Sequence, residues 1–287
     1  MKLLPTNKIS KLSIKEQTLF IEGLAYIQGY DSPTHDTIIK HLQLHNIYTN
    51  KVIEHPLGIT NRNDMVNVKY KEQHFNYRAA GVATIGFKGI DISNIDVGMY
   101  EIKISSSPSK DKRNYASLNL DMKHLDIRTI NNRYEYRLFK NQNKAYLVKR
   151  EILGRKISED SYVSIDNAWI QDRKFHIEGK FIVPGVNITE FNQAKYYLIV
   201  KKPITQTQYA FELGQIKKPD LGQYINNPFG EYNACYYATK NLAGIDSSSF
   251  EFGVYDIYLS LGVGCEIFTI QLDKKLVISE DNCSFKE

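Results

Sequence analysis

The 287-residue sequence predicts an all-β protein made of two tandem β-sandwich domains. Three observations predict it. The aromatic content is 20 Tyr and 13 Phe against a single Trp, a balance that suits strands. Apolar residues recur at every second position in short runs punctuated by glycine. The chain also repeats itself. Residues 89–105 (GIDISNIDVGMYEIKIS) and 244–260 (GIDSSSFEFGVYDIYLS) are identical at eight of seventeen positions, at an offset of 155.

The repeat extends upstream. Phe20-Ile21-Glu22-Gly23 matches His176-Ile177-Glu178-Gly179, and Gly29 matches Gly185, both at an offset of 156. Tyr77 and Ala83-Thr84 match Tyr232 and Ala238-Thr239 at 155. An internal duplication therefore places copy one at 1–130 and copy two at 157–287, each a sandwich of immunoglobulin-like or jelly-roll-like kind. Ile38 to Leu44 alternates as a strand, matched in its second half by Tyr196 to Val200. Gly98 and Gly253 each open a strand whose inward residues are Tyr100, Ile102 and Ile104, or Tyr255, Ile257 and Leu259. Strands at 115–120 and 265–272 follow. In copy two a tight turn, Gly262-Val263-Gly264, joins the pair. In copy one the connector is longer and carries Lys110, Lys112 and Arg113. Residues 131–156 read as a connecting hairpin, either bracing the two copies or closing copy one. No Pro/Ser/Gly-rich linker separates the copies, so a fixed arrangement is expected.

Lys and Arg total 37 against 32 acidic residues, a net charge of +5. A nucleic-acid domain concentrates a larger excess on one face, so nucleic acid is not an expected partner. Anionic glycopolymer, anionic lipid or simple solvation of a basic surface all suit the excess. Cys235, Cys265 and Cys283 are too few and odd in number for a disulfide framework, which points to a reducing compartment. The N-terminal residues hold no signal-peptide core, and no run approaches the ~18 apolar residues of a membrane span. The expectation is a cytoplasmic protein, peripheral at the inner face of the membrane only through a partner.

Four kinds of chemistry bear on these residues. His41 and His45 have the i, i+4 spacing of helical zinc ligands, but they lie on a strand, where both point outward and copy two has Tyr197 and Lys201. No metal and no cofactor are expected. Glu22/Glu178 and Asp91/Asp246 are shared acids. Asp in the Gly-Ile-Asp-x-Ser segment is a turn residue that caps its own backbone two positions on, and Glu22 and Glu178 are solvated strand-end acids. No cysteine has a paired His, and no Gly-x-Ser-x-Gly elbow is present. Alternation turns Tyr197 and Tyr258 outward, where planar rings could stack on sugars or anchor a protein. Trp169 is read as core or inter-domain packing.

The order Ile-x-Gly (Ile177, Gly179), Gly185, Tyr-x-Phe-x-Leu (Tyr209, Phe211, Leu213), Pro-Asp-Leu (Pro219, Asp220, Leu221), Tyr232, Gly-x-Asp (Gly244, Asp246) and Gly-x-Tyr-x-Ile (Gly253, Tyr255, Ile257) has a counterpart elsewhere. It resembles the tandem accessory β-sandwich modules of bacterial cell-surface glycopolymer glycosyltransferases, those of teichoic acid and capsule. Copy one departs from it at Asn63-Asp64-Met65. The resemblance carries no catalytic residue. It implies a non-catalytic glycan-binding or assembly module in surface polysaccharide synthesis, with an anionic or neutral surface glycan or a glycosyltransferase as partner, and homo-oligomerisation. The alternative is an extracellular adhesion or phage-type receptor-binding sandwich. Expected ligand contacts are Tyr197 and Tyr258 for sugar faces, and Lys110, Lys112 and Arg113 for anions.

Overall fold

The computed structural model describes residues 4–108, 114–157, 161–224, 230–280 and 282–286. The chain divides into two compact units, 4–129 with 135–150, and 130–134 with 151–286. Among the described residues no helix is long and apolar enough to cross a membrane.

In chain order the first unit carries β1 (Leu4–Lys15), β2 (Thr18–Gln28), β3 (Ile39–Asn46), β4 (Val52–Pro56), β5 (Gly58–Thr60), β6 (Val68–Tyr70), β7 (Gln73–Phe75), β8 (Gly81–Ala83), β9 (Ile90–Asp91), β10 (Gly98–Ser107), β11 (Tyr115–Ser117), β12 (Asp126–Ile130), β13 (Tyr134–Asn141) and β14 (Lys144–Glu151). One layer runs β1-β2-β8-β5; the other runs β12-β13-β14-β10-β3-β4. The second unit carries β15 (Arg155–Lys156), β16 (Tyr162–Gln171), β17 (Lys174–Ile182), β18 (Ala194–Lys201), β19 (Gln208–Ile216), β20 (Tyr236–Thr239), β21 (Ile245–Asp246), β22 (Gly253–Val263), β23 (Glu266–Ile278) and β24 (Cys283–Lys286). Its strands follow the same path, β16-β17-β20-β19-β18-β22-β23.

The correspondence holds in detail. Gly23 lies opposite Ile9 where β1 shifts register against β2, and Gly179 lies opposite Ile165 where β16 shifts against β17. A Cβ on either glycine would overlap a carbonyl oxygen, of Lys8 or of Ser164, so both bulges need glycine across from them. In the second unit one strand turns the corner between layers. Leu213 of β19 pairs with both Tyr196 of β18 and Thr239 of β20. In the first unit the same corner breaks at Leu57, leaving β4 on β3 and β5 on β8.

The strand after β10 differs. In the second unit β23 alone pairs along the edge of β22 away from β18, from Val263 to Gly253, with one register shift. In the first unit β11 pairs with Lys103–Ser105 and β14 with Gly98–Ile102. The 131–156 hairpin therefore closes copy one, one of the two roles expected of it, rather than forming a separate connecting segment. Its strands β13 and β14 complete the first unit's sheet, because buried Ala145 and Leu147 continue the inward face of β10. Ile152 passes into the second unit, where it is buried with Tyr197 and Ile199. The expected turn at 262–264 also moves: Gly262 and Val263 belong to β22, and Gly264 takes the left-handed conformation (φ 52) at the turn itself.

Tyr100 and Tyr255 are fully buried at matching positions. Each hydroxyl donates to the carbonyl oxygen four residues back, of Asp96 at 2.9 Å and of Glu251 at 2.6 Å. A second pair repeats as well: the Tyr77 and Tyr232 hydroxyls accept from the amides of Gly29 (2.9 Å) and Gly185 (3.1 Å). The second unit's core is aromatic. Phe250 stacks on Tyr209 at 4.2 Å and lies 5.7 Å from Phe211.

The first unit buries lysines where the second buries Tyr or Ile. Lys40 lies opposite Ser106 on β10, four residues before Leu44. Tyr196 stands in that place in the second unit, four residues before Val200. Lys40 is 1% exposed, and its ammonium donates to the carbonyls of Ala79 (2.7 Å) and Gly81 (2.9 Å). Lys149, at the place of Ile278, donates to the carbonyls of Ser93 and Ile95. Burial pushes the Lys40 pKa from 10.5 down to about 7. Between those values the unfolded chain binds the proton and the folded one releases it, so stability rises with pH across the window and is lost as pH falls toward 7. Lys40→Met removes this dependence. The variant's stability relative to wild type should fall by up to ~1.4 kcal/mol per pH unit between pH 7 and 10 in denaturant melts. A pH-independent difference would contradict the lowered pKa at this position.

Candidate functional site

The outer face of β16, β17 and β20 in the second unit gathers aromatic and polar side chains. On β17, Phe175, Ile177 and Phe181 are buried in the core, which turns Lys174, His176, Glu178 and Lys180 outward. On β16 the bulge between Ile165 and Asn167 resets the alternation, so Asn167, Trp169 and Gln171 share that outer face. Trp169 stands directly opposite His176, and their rings stack at 4.5 Å with planes 8° apart. Trp169 is 39% exposed and His176 only 7%. The His176 Nδ1 has no hydrogen-bond partner, so stacking holds this ring in place. Gly244 also packs close to the ring, where a Cβ would overlap the imidazole. In the first unit the equivalent pair is Ser13 and Phe20, beneath Gly89.

Polar groups continue the face. Asn167 Nδ2 donates to Glu178 Oε1 at 2.6 Å. Ser164 Oγ donates to Asp166 at 2.7 Å, and Lys180 lies 3.8 Å from the same carboxylate. Tyr236, paired with Lys180, is buried under the Lys218 ammonium. Burial, with the charges of Glu178 and Asp166, pushes its phenol up to about 12. Next to Lys180 a cavity of about 300 Å³ opens between Ser161, Tyr162, Ser164 and Leu221. From His176 to Lys180 the face runs about 13 Å at the usual strand rise.

The residues expected to bind ligand lie elsewhere. Tyr197 does turn away from the main core, but it is 1% exposed. A second apolar layer of Ile152 and Ile199, with Ile130, Leu153 and Ala210, covers it. Tyr258 packs half-buried against that layer, and burial, then the Asp256 charge, raises its phenol. Tyr197 therefore offers no free ring face to a sugar. Lys110, Lys112 and Arg113 lie outside the described residues. Asp91 and Asp246 act as the turn reading requires, accepting the amides of Ser93 and Ser248 at 2.8 Å each. Glu22 pairs with Lys11 at 2.8 Å. His45 contacts Asn50 and Lys103 on the outer face of β3. Cys235 and Cys283 are buried and Cys265 exposed, all three as free thiols. Burial lifts the Cys235 thiol to about 12.

Trp169, expected in a core or in inter-domain packing, is not in a core: it is exposed on a sheet face of the second unit. The signal for its exposure was in the sequence: Ala168 and Ile170 flank it at core parity, and Trp169 alternates away from them. What hid the parity is the bulge just before it.

No family model matches the chain, and no curated protein matches it. Among solved structures the chain is similar to the FN1–FN3 domains of chicken CNTN1, at 10% identity over 93% of this chain and 67% of that one, with a TM-score of 0.23. A likeness at that score carries no argument, and the fold rests on the strand topology above.

As the sole Trp, residue 169 reports on this face directly. Its fluorescence in the folded protein should be quenched readily by acrylamide, and Trp169→Ala should change stability by less than about 1 kcal/mol. A quencher-protected Trp with a costly alanine variant would place it in a core.

Proposed function

We propose that the protein is a non-catalytic glycan-binding module and that the β16–β17–β20 face of the second unit holds the sugar. The observation that carries this reading is Trp169, an exposed indole stacked flat on His176 at a sheet surface. An indole held in this way offers one apolar face to the C–H side of a sugar ring at little entropic cost. Asn167 and Glu178 stand one pair along the strands, placed to take hydroxyls of a stacked ring. A sheet face suits an extended chain of sugars better than a single small molecule, because its polar groups are spread along the strand direction.

The resemblance to accessory modules of teichoic-acid and capsule glycosyltransferases supports the same reading and suggests a surface glycopolymer as the ligand. Under it, copy one serves as scaffold, since Ser13 and Phe20 replace the Trp169–His176 pair.

The test is a titration of the full chain with neutral and anionic surface oligosaccharides, followed by Trp169 fluorescence and by calorimetry. Saturable quenching or a spectral shift is expected, with binding lost in Trp169→Ala and weakened in Glu178→Gln. Because stacking is not electrostatic, binding to a neutral glycan should survive high salt. No response to any glycan would remove this reading and leave protein assembly as the surviving role.

A further inference from the structure

We propose a second binding site, for a small hydroxylated anion such as a sugar acid or sugar phosphate, in a cleft of the second unit between the β18–β19 hairpin and the segments around 132 and 151. The cleft measures about 420 Å³ and lies away from the Trp169 face. Leu153 forms its apolar wall, packed against the cluster of Ile152, Tyr197 and Ile199. The wall is therefore fixed by the same burial that removes Tyr197 from the surface.

The charges in the cleft do not cancel. Arg133 gives one guanidinium nitrogen to Glu151 at 3.1 Å. Lys201, the remaining cation, has neither a hydrogen bond nor an ion pair for its ammonium among the described residues. Its cross-strand neighbour Asp256 lies 3.7 Å from Lys275. Two cations against one carboxylate leave one positive charge in the cleft, matched to one anionic group.

The amides define the rest of the ligand. Gln208 Nε2 donates to the Asn132 carbonyl, and Gln206 Nε2 to the Pro203 carbonyl, both at 2.5 Å. With one N–H of each amide engaged, both side-chain oxygens remain as acceptors, and hydroxyl groups supply the donors they lack. The Asn132 Oδ1 accepts from the Ala210 amide at 3.4 Å, which ties the 132 segment to β19 and holds the cleft in shape. A carboxylate or phosphate beside Lys201 and Arg133, on a skeleton bearing hydroxyls toward Gln206 and Gln208, satisfies each group.

The experiment is a heteronuclear NMR titration of the full chain with glucuronate, glucose 6-phosphate, inorganic phosphate and glucose. Expected are saturable shifts at the Lys201, Gln208 and Arg133 amides with glucuronate or glucose 6-phosphate, weaker ones with inorganic phosphate, and none with glucose. The first two ligands tell a sugar acid from a sugar phosphate. Lys201→Met should lower affinity about tenfold, the weight of one charge-assisted hydrogen bond. Lys201→Arg should retain binding, and Trp169→Ala should leave it unchanged, which separates this site from the proposed glycan face. No saturable shift with either sugar anion, or undiminished binding in Lys201→Met, overturns the proposal. So does equal affinity for glucose, or for bare phosphate and sugar phosphate alike.

Discussion

A buried tyrosine at the head of the central strand sets the register of each unit. Tyr100 and Tyr255 are closed off from solvent, and their hydroxyls return to the carbonyl four residues earlier. That bond fixes where the strand begins and which face its first residue takes, the device by which a tyrosine corner pins a sandwich. A slip of one residue would carry the ring, and Ile102 or Ile257 behind it, to the opposite face. The strands on either side inherit this choice: β3 with β14 and β11 in the first unit, β18 with β23 in the second. The turn preceding the tyrosine is clasped outside by Lys51 on Asp96 at 2.6 Å and by Lys202 on Glu251 at 2.9 Å. The two lysines come from different positions, so the clasp is kept although the residue that supplies it has changed.

Around this shared frame the units diverge in ways that bear on function. The first unit splits the corner strand at Leu57, admits a hairpin beside β10, and buries Lys40 and Lys149 on backbone carbonyls. The second keeps one long corner strand and one long β23, fills its core with aromatic rings, and sets Trp169 on its surface. The proposed ligand sites both fall in the second unit. The Trp169 face rests on a pair that the first unit replaces with Ser13 and Phe20.

Much of the frame was legible in the sequence, because parity and glycine spacing are local properties. The inward run from Tyr100 to Ile104, its partner from Tyr255, and the Asp91 and Asp246 turns follow from residues close together in the chain. Two kinds of information were not local. Whether a sheet's outer face is free depends on what crosses it. Tyr197 has the parity of a surface residue, but Ile152, about 45 positions away by sequence numbering, lies in the layer that covers it. Sheet membership also depends on pairing across long intervals: β14 joins β10 rather than standing apart, since Ala145 and Leu147 complete an apolar face begun at Ile102 and Tyr100. Trp169 failed for a third reason, a bulge that inverts parity within a single strand.

The register of β10 and β22 is the claim on which these assignments stand, and unfolding measurements on Tyr100→Ala and Tyr255→Ala test it most directly. Each variant should lose about 3–5 kcal/mol in the denaturant transition of its own unit, the cost of emptying a fully buried aromatic site. Losses under about 1 kcal/mol for both would place these faces in solvent and contradict the register from which the fold and both ligand sites are read.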